Sequence, residues 1–194
     1  MMQYRLTTPL CKADLAPLRA GDTVLLSGVV FTARDAAHAR MAELLDAGKP
    51  LPFDLRGAAI YYVGPTPERP GCVIGAAGPT TAGRMDSFTP RLLDLGLACM
   101  IGKGKRSEAV KTAVVRNGAV YLAALGGAGA LMAASVQSCK VIAWPDLGCE
   151  AVRRLVVQDM PLTVLLDAHG GDLYESGPAA YLQSQKGESE ACKT

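Results

Sequence analysis

Apolar positions along the chain fall into short runs separated by glycine, proline or charge, and they alternate between two periods. TVLLSGVVFTA (23–33) is rich in β-branched residues and predicts a strand pair or one long strand bent near Gly28. DAAHARMAELLDAG (35–48) has helical spacing: Ala37, Met41, Leu44 and Leu45 form one stripe, Asp35 is a candidate N-cap and Gly48 a stop. Further strands are predicted at 58–64, 72–78, 98–102, 120–125, 139–144, 151–157 and 161–167. Helices are predicted near 87–95, at 107–116 and in LGGAGALMAASV, after a glycine-rich turn. A short lead (1–22), in which Asp14 opens a helical turn, precedes this region. A polar stretch, 177–194, follows it and reads as a disordered tail. The pattern predicts one mixed α/β domain over 1–176, with antiparallel or barrel-like pairing and flanking helices.

Composition narrows the class. Of 194 residues, 49% are hydrophobic and 20% charged, enough for a buried core. No apolar run reaches the roughly 18 residues of a membrane span. The net charge of +2 gives no footprint for nucleic acid or a membrane surface, and 5% aromatic content offers no stacking platform. MMQYRLTTPL has no secretory pattern, so a cytoplasmic location is expected. The six cysteines show no CxxC or CxxxC pair, which gives no self-contained metal or cluster site in this chain. Four lie in apolar runs and are expected as buried thiols.

Three polar junctions, two of them glycine-containing, follow predicted strands: Thr32–Asp35, Gly78–Asp86 and Gly102–Arg106. Ligands of open α/β sheets bind at such strand ends. The junctions carry Arg34, Arg84 and Lys103. Facing one cleft, these three would suit a small dianion; facing solvent, they are ordinary surface cations. GKGKR lacks the leading glycine and the Ser/Thr of a P-loop. Gly126-Gly127-Ala128-Gly129 does not match the dinucleotide fingerprint and reads as close helix packing or an anion nest. His38, one turn into its helix, reads as bonded to a neighbouring backbone group, and His169 as exposed in a turn. The result is a set of anion-binding residues with no evident base, metal cage or cofactor motif.

SGVVFTARDAAHARM, YYVGPTP, GPTTAGRMDSF, IGKGKR, LGGAGALMA and AWPDLGCEA resemble successive blocks of the β subunit of iron–sulfur-dependent (class I) fumarate hydratases and L-tartrate dehydratases. That subunit corresponds to the C-terminal domain of the single-chain enzymes. The resemblance runs from about Thr7 to Tyr174, and GPTTAGRMD is its most specific block. It implies a swivelling β/β/α fold and an α subunit whose cysteines hold a [4Fe–4S] cluster. It also implies substrate-carboxylate contacts from Arg34, Arg84 and Lys103, and Thr80 as the catalytic base, with an orienting hydroxyl as the alternative. Thr81, Asp35, His38 and Asp86 are supporting residues. The family usually has glycine where this chain has Ala33, a replacement costing about 1 kcal/mol if φ there is positive.

The resemblance implies a hydro-lyase β subunit, active only with its α subunit in a higher-order αβ oligomer, that interconverts fumarate and (S)-malate. L-Tartrate dehydration is the alternative within the family. A non-catalytic dicarboxylate-binding module is the alternative of another class.

Overall fold

Alternate residues of the central strands are buried on opposite sides, so each strand separates two apolar layers. In the computed structural model, Ala59 and Tyr61, Cys99 and Ile101, and Val120 and Leu122 join one cluster. Ile60, Met100 and Tyr121 join the other. The structure describes residues 1–124 and 127–191, and the side chains of 184–191 are not described.

The elements are β1 (Gln3–Thr7), α1 (Lys12–Leu15), β2 (Thr23–Thr32), α2 (Asp35–Asp46), β3 (Ala59–Tyr61), α3 (Thr89–Asp94), β4 (Cys99–Gly102), α4 (Glu108–Asn117), β5 (Val120–Ala123), α5 (Gly129–Ala134), β6 (Val136–Ala143), β7 (Val152–Leu166) and α6 (Leu173–Ala191). The sheet order is β1-β2-β3-β4-β5-β7-β6, and a further β2–β7 pairing closes β2, β3, β4, β5 and β7 into a five-stranded ring. Strands β2, β3, β4 and β5 run parallel. β7 is antiparallel to β2, β5 and β6. The first cluster fills the ring. The second lies between the ring and helices α2, α3 and α4, through Met41, Leu92, Leu93 and Val110. This is the mixed α/β, barrel-like fold read from the pattern.

Several local expectations are corrected. The two predicted strands 151–157 and 161–167 are one 15-residue strand, β7. Its turn-like residues lie opposite an irregularity between Leu26 and Gly28 of β2, where the predicted bend is found. Asp159 accommodates it at φ +48° and Gly28 at φ +100°. Strand β1 emerges from what read as lead, paired in parallel with Thr23–Ser27. CVIGAAG (72–78) is not a strand. It folds against Thr66, whose N–H donates to Ala76 O at 3.1 Å and whose hydroxyl accepts from Ala76 N–H at 2.9 Å. Arg34, not Asp35, is the N-cap of α2. Helix α6 spans Leu173–Ala191, and residues 192–194 lie outside the described residues.

Part of the predicted glycine turn, Leu125 and Gly126, also lies outside the described residues. What is described fits close packing: a Cβ on Gly129 would stand 3.1 Å from Gly78 N. The cysteines are less buried than expected: among the described residues Cys11, Cys72 and Cys149 are exposed, Cys139 is half-buried and Cys99 alone is buried, its thiol pushed up by desolvation. Among the described residues, no helix is long and apolar enough to cross a membrane.

Candidate functional site

The parallel register decides where the three cationic junctions go. Thr32 stands beside Tyr61, and Tyr61 beside Ile101, so β2, β3 and β4 end at one level. Arg34 leaves the end of β2 and Lys103 leaves the end of β4. The Gly78–Asp86 loop returns to the end of β3 between them: Thr80 N–H donates to Tyr62 O at 2.8 Å, and Val63 and Pro79 form a bridge. Thr81 bridges Lys103, and Ala82 N–H donates to Lys103 O at 2.8 Å. The three junctions therefore form one edge.

Charge organises the Arg34 side. Asp35 Oδ1 lies 2.7 Å from Arg84 Nε, while Asp35 Oδ2 lies 3.7 Å from Arg34 Nη2, so one carboxylate spans both guanidinium groups. Glu150, on the turn before β7, lies 3.2 Å from Arg34 Nη2 through Oε1. Its Oε2 accepts from Ala36 N–H at 3.0 Å. A Cβ at Gly64 would stand 2.7 Å from Arg34 Nη1, so this glycine lets the guanidinium lie against the backbone. Ala33 is buried, its N–H donates to Tyr61 O at 3.2 Å, and its φ is not positive, so alanine costs nothing there.

His38 is fully buried. Its Nδ1 lies 2.9 Å from Arg34 O, and because a carbonyl only accepts, Nδ1 carries the proton. Burial pushes its pKa down to about 4, outweighing the backbone bond, so the ring is neutral. His38 is thus a support beneath Arg34 rather than a group facing substrate. Arg34 Nε, Asp35 Oδ2 and His38 Nε2 are buried without a hydrogen-bond partner among the described residues. Buried polar atoms are rarely left so, and these three lie within two turns of chain.

Backbone contacts organise the Lys103 side. Gly104 takes φ +86°, a conformation that favours glycine. Its N–H donates to the Tyr174 hydroxyl at 2.9 Å, and its carbonyl accepts from the Tyr121 hydroxyl at 3.1 Å. The Lys103 side chain is exposed, and Thr80 is half-buried. Among the described residues no hydrogen bond or ion pair engages the Lys103 ammonium or the Thr80 hydroxyl. Asp86 belongs to the base of the loop: it accepts from Arg106 Nε and from Ser107 N–H, both at 2.6 Å. Glu150, Arg106, Tyr62, Tyr121 and Tyr174 are the residues that sequence reasoning did not single out. Glu150 alone carried a signal, as a carboxylate at the end of a glycine-containing turn. A neighbouring cavity of about 330 Å³ is lined by Thr66, Ile74, Cys139, Cys149 and Arg153, not by the cationic residues.

A conserved-domain description, "Fumarase C-terminus", matches residues 1–177. The chain belongs to this family. Fumarate hydratase 2 of Leishmania major is 38% identical over 165 residues, covering 84% of this chain and 29% of that protein. The anaerobic class I fumarate hydratase of Escherichia coli K12 is 39% identical, covering 84% of this chain and 30% of its own length. The chain thus spans under a third of these fumarate hydratases. A putative L(+)-tartrate dehydratase subunit beta of Methanocaldococcus jannaschii is 38% identical over 172 residues, covering 86% of this chain and 88% of that protein. By name, these relatives of the fumarase C-terminus domain are hydro-lyases.

Among the described residues, no group of three or more His, Cys, Asp or Glu side chains could hold a metal ion. The residues gathered on this edge fit an anion: two arginines sharing a carboxylate, a lysine and a threonine hydroxyl.

Proposed function

We propose that the chain is the β subunit of a heteromeric hydro-lyase that hydrates fumarate to (S)-malate reversibly, with an α subunit holding the [4Fe–4S] cluster. One observation carries the reading: the β2–β3–β4 register gathers Arg34, Thr80, Arg84 and Lys103 on a single edge. Family membership and the beta-subunit names of the relatives support it.

In this reading Arg34 and Arg84 grip one substrate carboxylate and Lys103 the other. Removing a proton from the carbon beside a carboxylate drives negative charge onto that carboxylate. Cations already fixed there stabilise the developing charge without reorganisation. Asp35 sets the spacing of the two guanidinium groups, and Thr80, beside Arg84 and Lys103, is the proton acceptor. A threonine hydroxyl ionises far above neutral pH, and each unit of displacement is worth about 1.36 kcal/mol, so the surrounding cations are what make this role feasible. L-Tartrate dehydration is the second reading, favoured by beta-subunit relatives matched over nearly their whole length.

The test is anaerobic co-purification with a candidate α subunit, followed by loss of fumarate absorbance with each chain alone and with both. Activity only in the pair, reduced about a thousandfold by Thr80→Val, is the expected result. A loaded, stable complex that turns over tartrate but not fumarate selects the second reading. Near-normal turnover in Thr80→Val removes Thr80 as the base.

A further inference from the structure

We propose that Tyr174 is a positioning residue for the site, the means by which the start of the C-terminal helix fixes the Lys103 loop. The two peptides that flank Gly104 are each held by a tyrosine hydroxyl from a different element. Tyr121 of β5 donates to Gly104 O at 3.1 Å, and Tyr174 of α6 accepts from Gly104 N–H at 2.9 Å. With Ala82 N–H on Lys103 O, three hydrogen bonds pin a loop whose lysine side chain none of them touches. The Tyr174 backbone is anchored in turn. Its own N–H donates to Asp172 Oδ1 at 2.8 Å, and Asp172 Oδ2 pairs with Lys111 Nζ of α4 at 2.9 Å. Lys111 also meets Glu175 at 2.6 Å, so the first turn of α6 is tied to α4 by two carboxylates.

The arrangement solves a specific problem. Lys has a long stem, and a point charge acts on a dianion only if the backbone carrying that stem is fixed. Gly104, at φ +86°, would otherwise be the most pliable joint of the loop. A hydroxyl on each of the two peptides flanking Gly104 restrains that joint while adding no charge that would compete with substrate for the lysine. The role rests on the hydro-lyase reading, because it gives Tyr174 its effect through Lys103 and a dicarboxylate.

The experiment combines Tyr174→Phe with Lys103→Met in a double-mutant cycle on the assembled αβ enzyme. Amide exchange at Gly104 is measured in the full chain. Tyr174→Phe removes only the phenolic oxygen, so the fold is expected to persist, with faster Gly104 exchange and a two- to tenfold fall in kcat/KM. In the Lys103→Met background the same change is expected to have no further effect on kcat/KM. Unchanged Gly104 exchange overturns the clamp, whatever the activity. Faster exchange with independent, multiplicative losses in the cycle shows a structural bond only and overturns the positioning role. A stable wild-type complex that neither binds nor converts a dicarboxylate overturns the hydro-lyase reading, and the positioning role falls with it even where exchange responds.

Discussion

Lys103 and Arg106 stand three residues apart in one basic run, yet the fold puts them in opposite circumstances. Arg106 is buried between the rings of Tyr62 and Tyr121, its guanidinium carbon 5.4 and 5.0 Å from their centroids. Its Nε meets Asp86 at 2.6 Å and its Nη2 meets Thr89 Oγ1 at 2.8 Å. Lys103 is exposed on the edge shared with Arg34 and Arg84. The planar guanidinium can be saturated by several fixed acceptors and two aromatic faces at once, whereas a compact ammonium keeps its hydration and stays presented. The difference separates a cation that builds the loop from one that the loop displays.

Substitution should break this contrast cleanly. Arg106→Leu leaves the Asp86 carboxylate facing an apolar gap with only Ser107 N–H as partner. It should cost about 3–5 kcal/mol of stability, as removal of one member of a buried pair does. Lys103→Met should leave the urea midpoint within about 0.5 kcal/mol of wild type while lowering kcat/KM of the assembled enzyme about a hundredfold. The urea midpoints of the two variants check the first claim. An Arg106→Leu chain as stable as wild type would show that the aromatic sandwich, not the charge, holds the loop.

This pair also shows what the sequence could convey. The apolar, β-branched runs located most central strands, and the polar junctions at their ends located Arg34, Arg84 and Lys103, because those signals are local. Which cation of GKGKR would be buried depended on Tyr62, Tyr121, Asp86 and Thr89, whose meeting is set by sheet order rather than by spacing. Barrel-like pairing was expected, but which strands close the ring was hidden for the same reason: Thr23 pairs with Thr163 across the length of the chain. At Gln158–Pro161 the local signal misled outright, since residues that suggest a turn were absorbed as an irregularity within a continuous strand. Tyr174 lay beyond the last predicted strand, with no periodicity to point it toward Gly104.

His38 extends the contrast to pH. It is the buried neutral support under Arg34, with a folded pKa near 4 against an ordinary value of 6.5. The unfolded chain therefore binds the extra proton first as pH falls. Its contribution is fully present above about pH 6.5 and is lost progressively down to about pH 4, a span of up to about 3 kcal/mol. Burial pushes Asp167 up, but the N–H groups of Ala20, Gly171 and His169 more than offset it and hold this carboxyl low, so it also weakens the fold in acid. The difference between wild type and His38→Phe isolates the histidine. Urea midpoints at pH 7.5 and 4.5 should fall less in the variant than in wild type, and equal falls would show that His38 takes up no proton on unfolding in that range.

The smallest effect tests whether the Arg34 side depends on charge as the Lys103 side depends on backbone. Glu150 does two things with one carboxylate: it accepts the Ala36 N–H at the start of α2, and it holds Arg34 through its other oxygen. Glu150→Gln can keep the first contact through its carbonyl oxygen, but it replaces the second with an amide that does not pair with a guanidinium. Asp35 remains, so Arg34 stays near the edge but loses one of its two carboxylates. The expected result is a KM for the dicarboxylate about tenfold higher, equivalent to about 1.4 kcal/mol, with kcat little changed, because in the proposed function Arg34 grips a carboxylate present in both ground and transition states. Steady-state kinetics of the αβ complex measure it. An unchanged KM would assign the orientation of Arg34 to Asp35 alone. A lower KM would mean that Glu150 competes with substrate for the guanidinium, making the carboxylate a restraint on binding rather than a support for it.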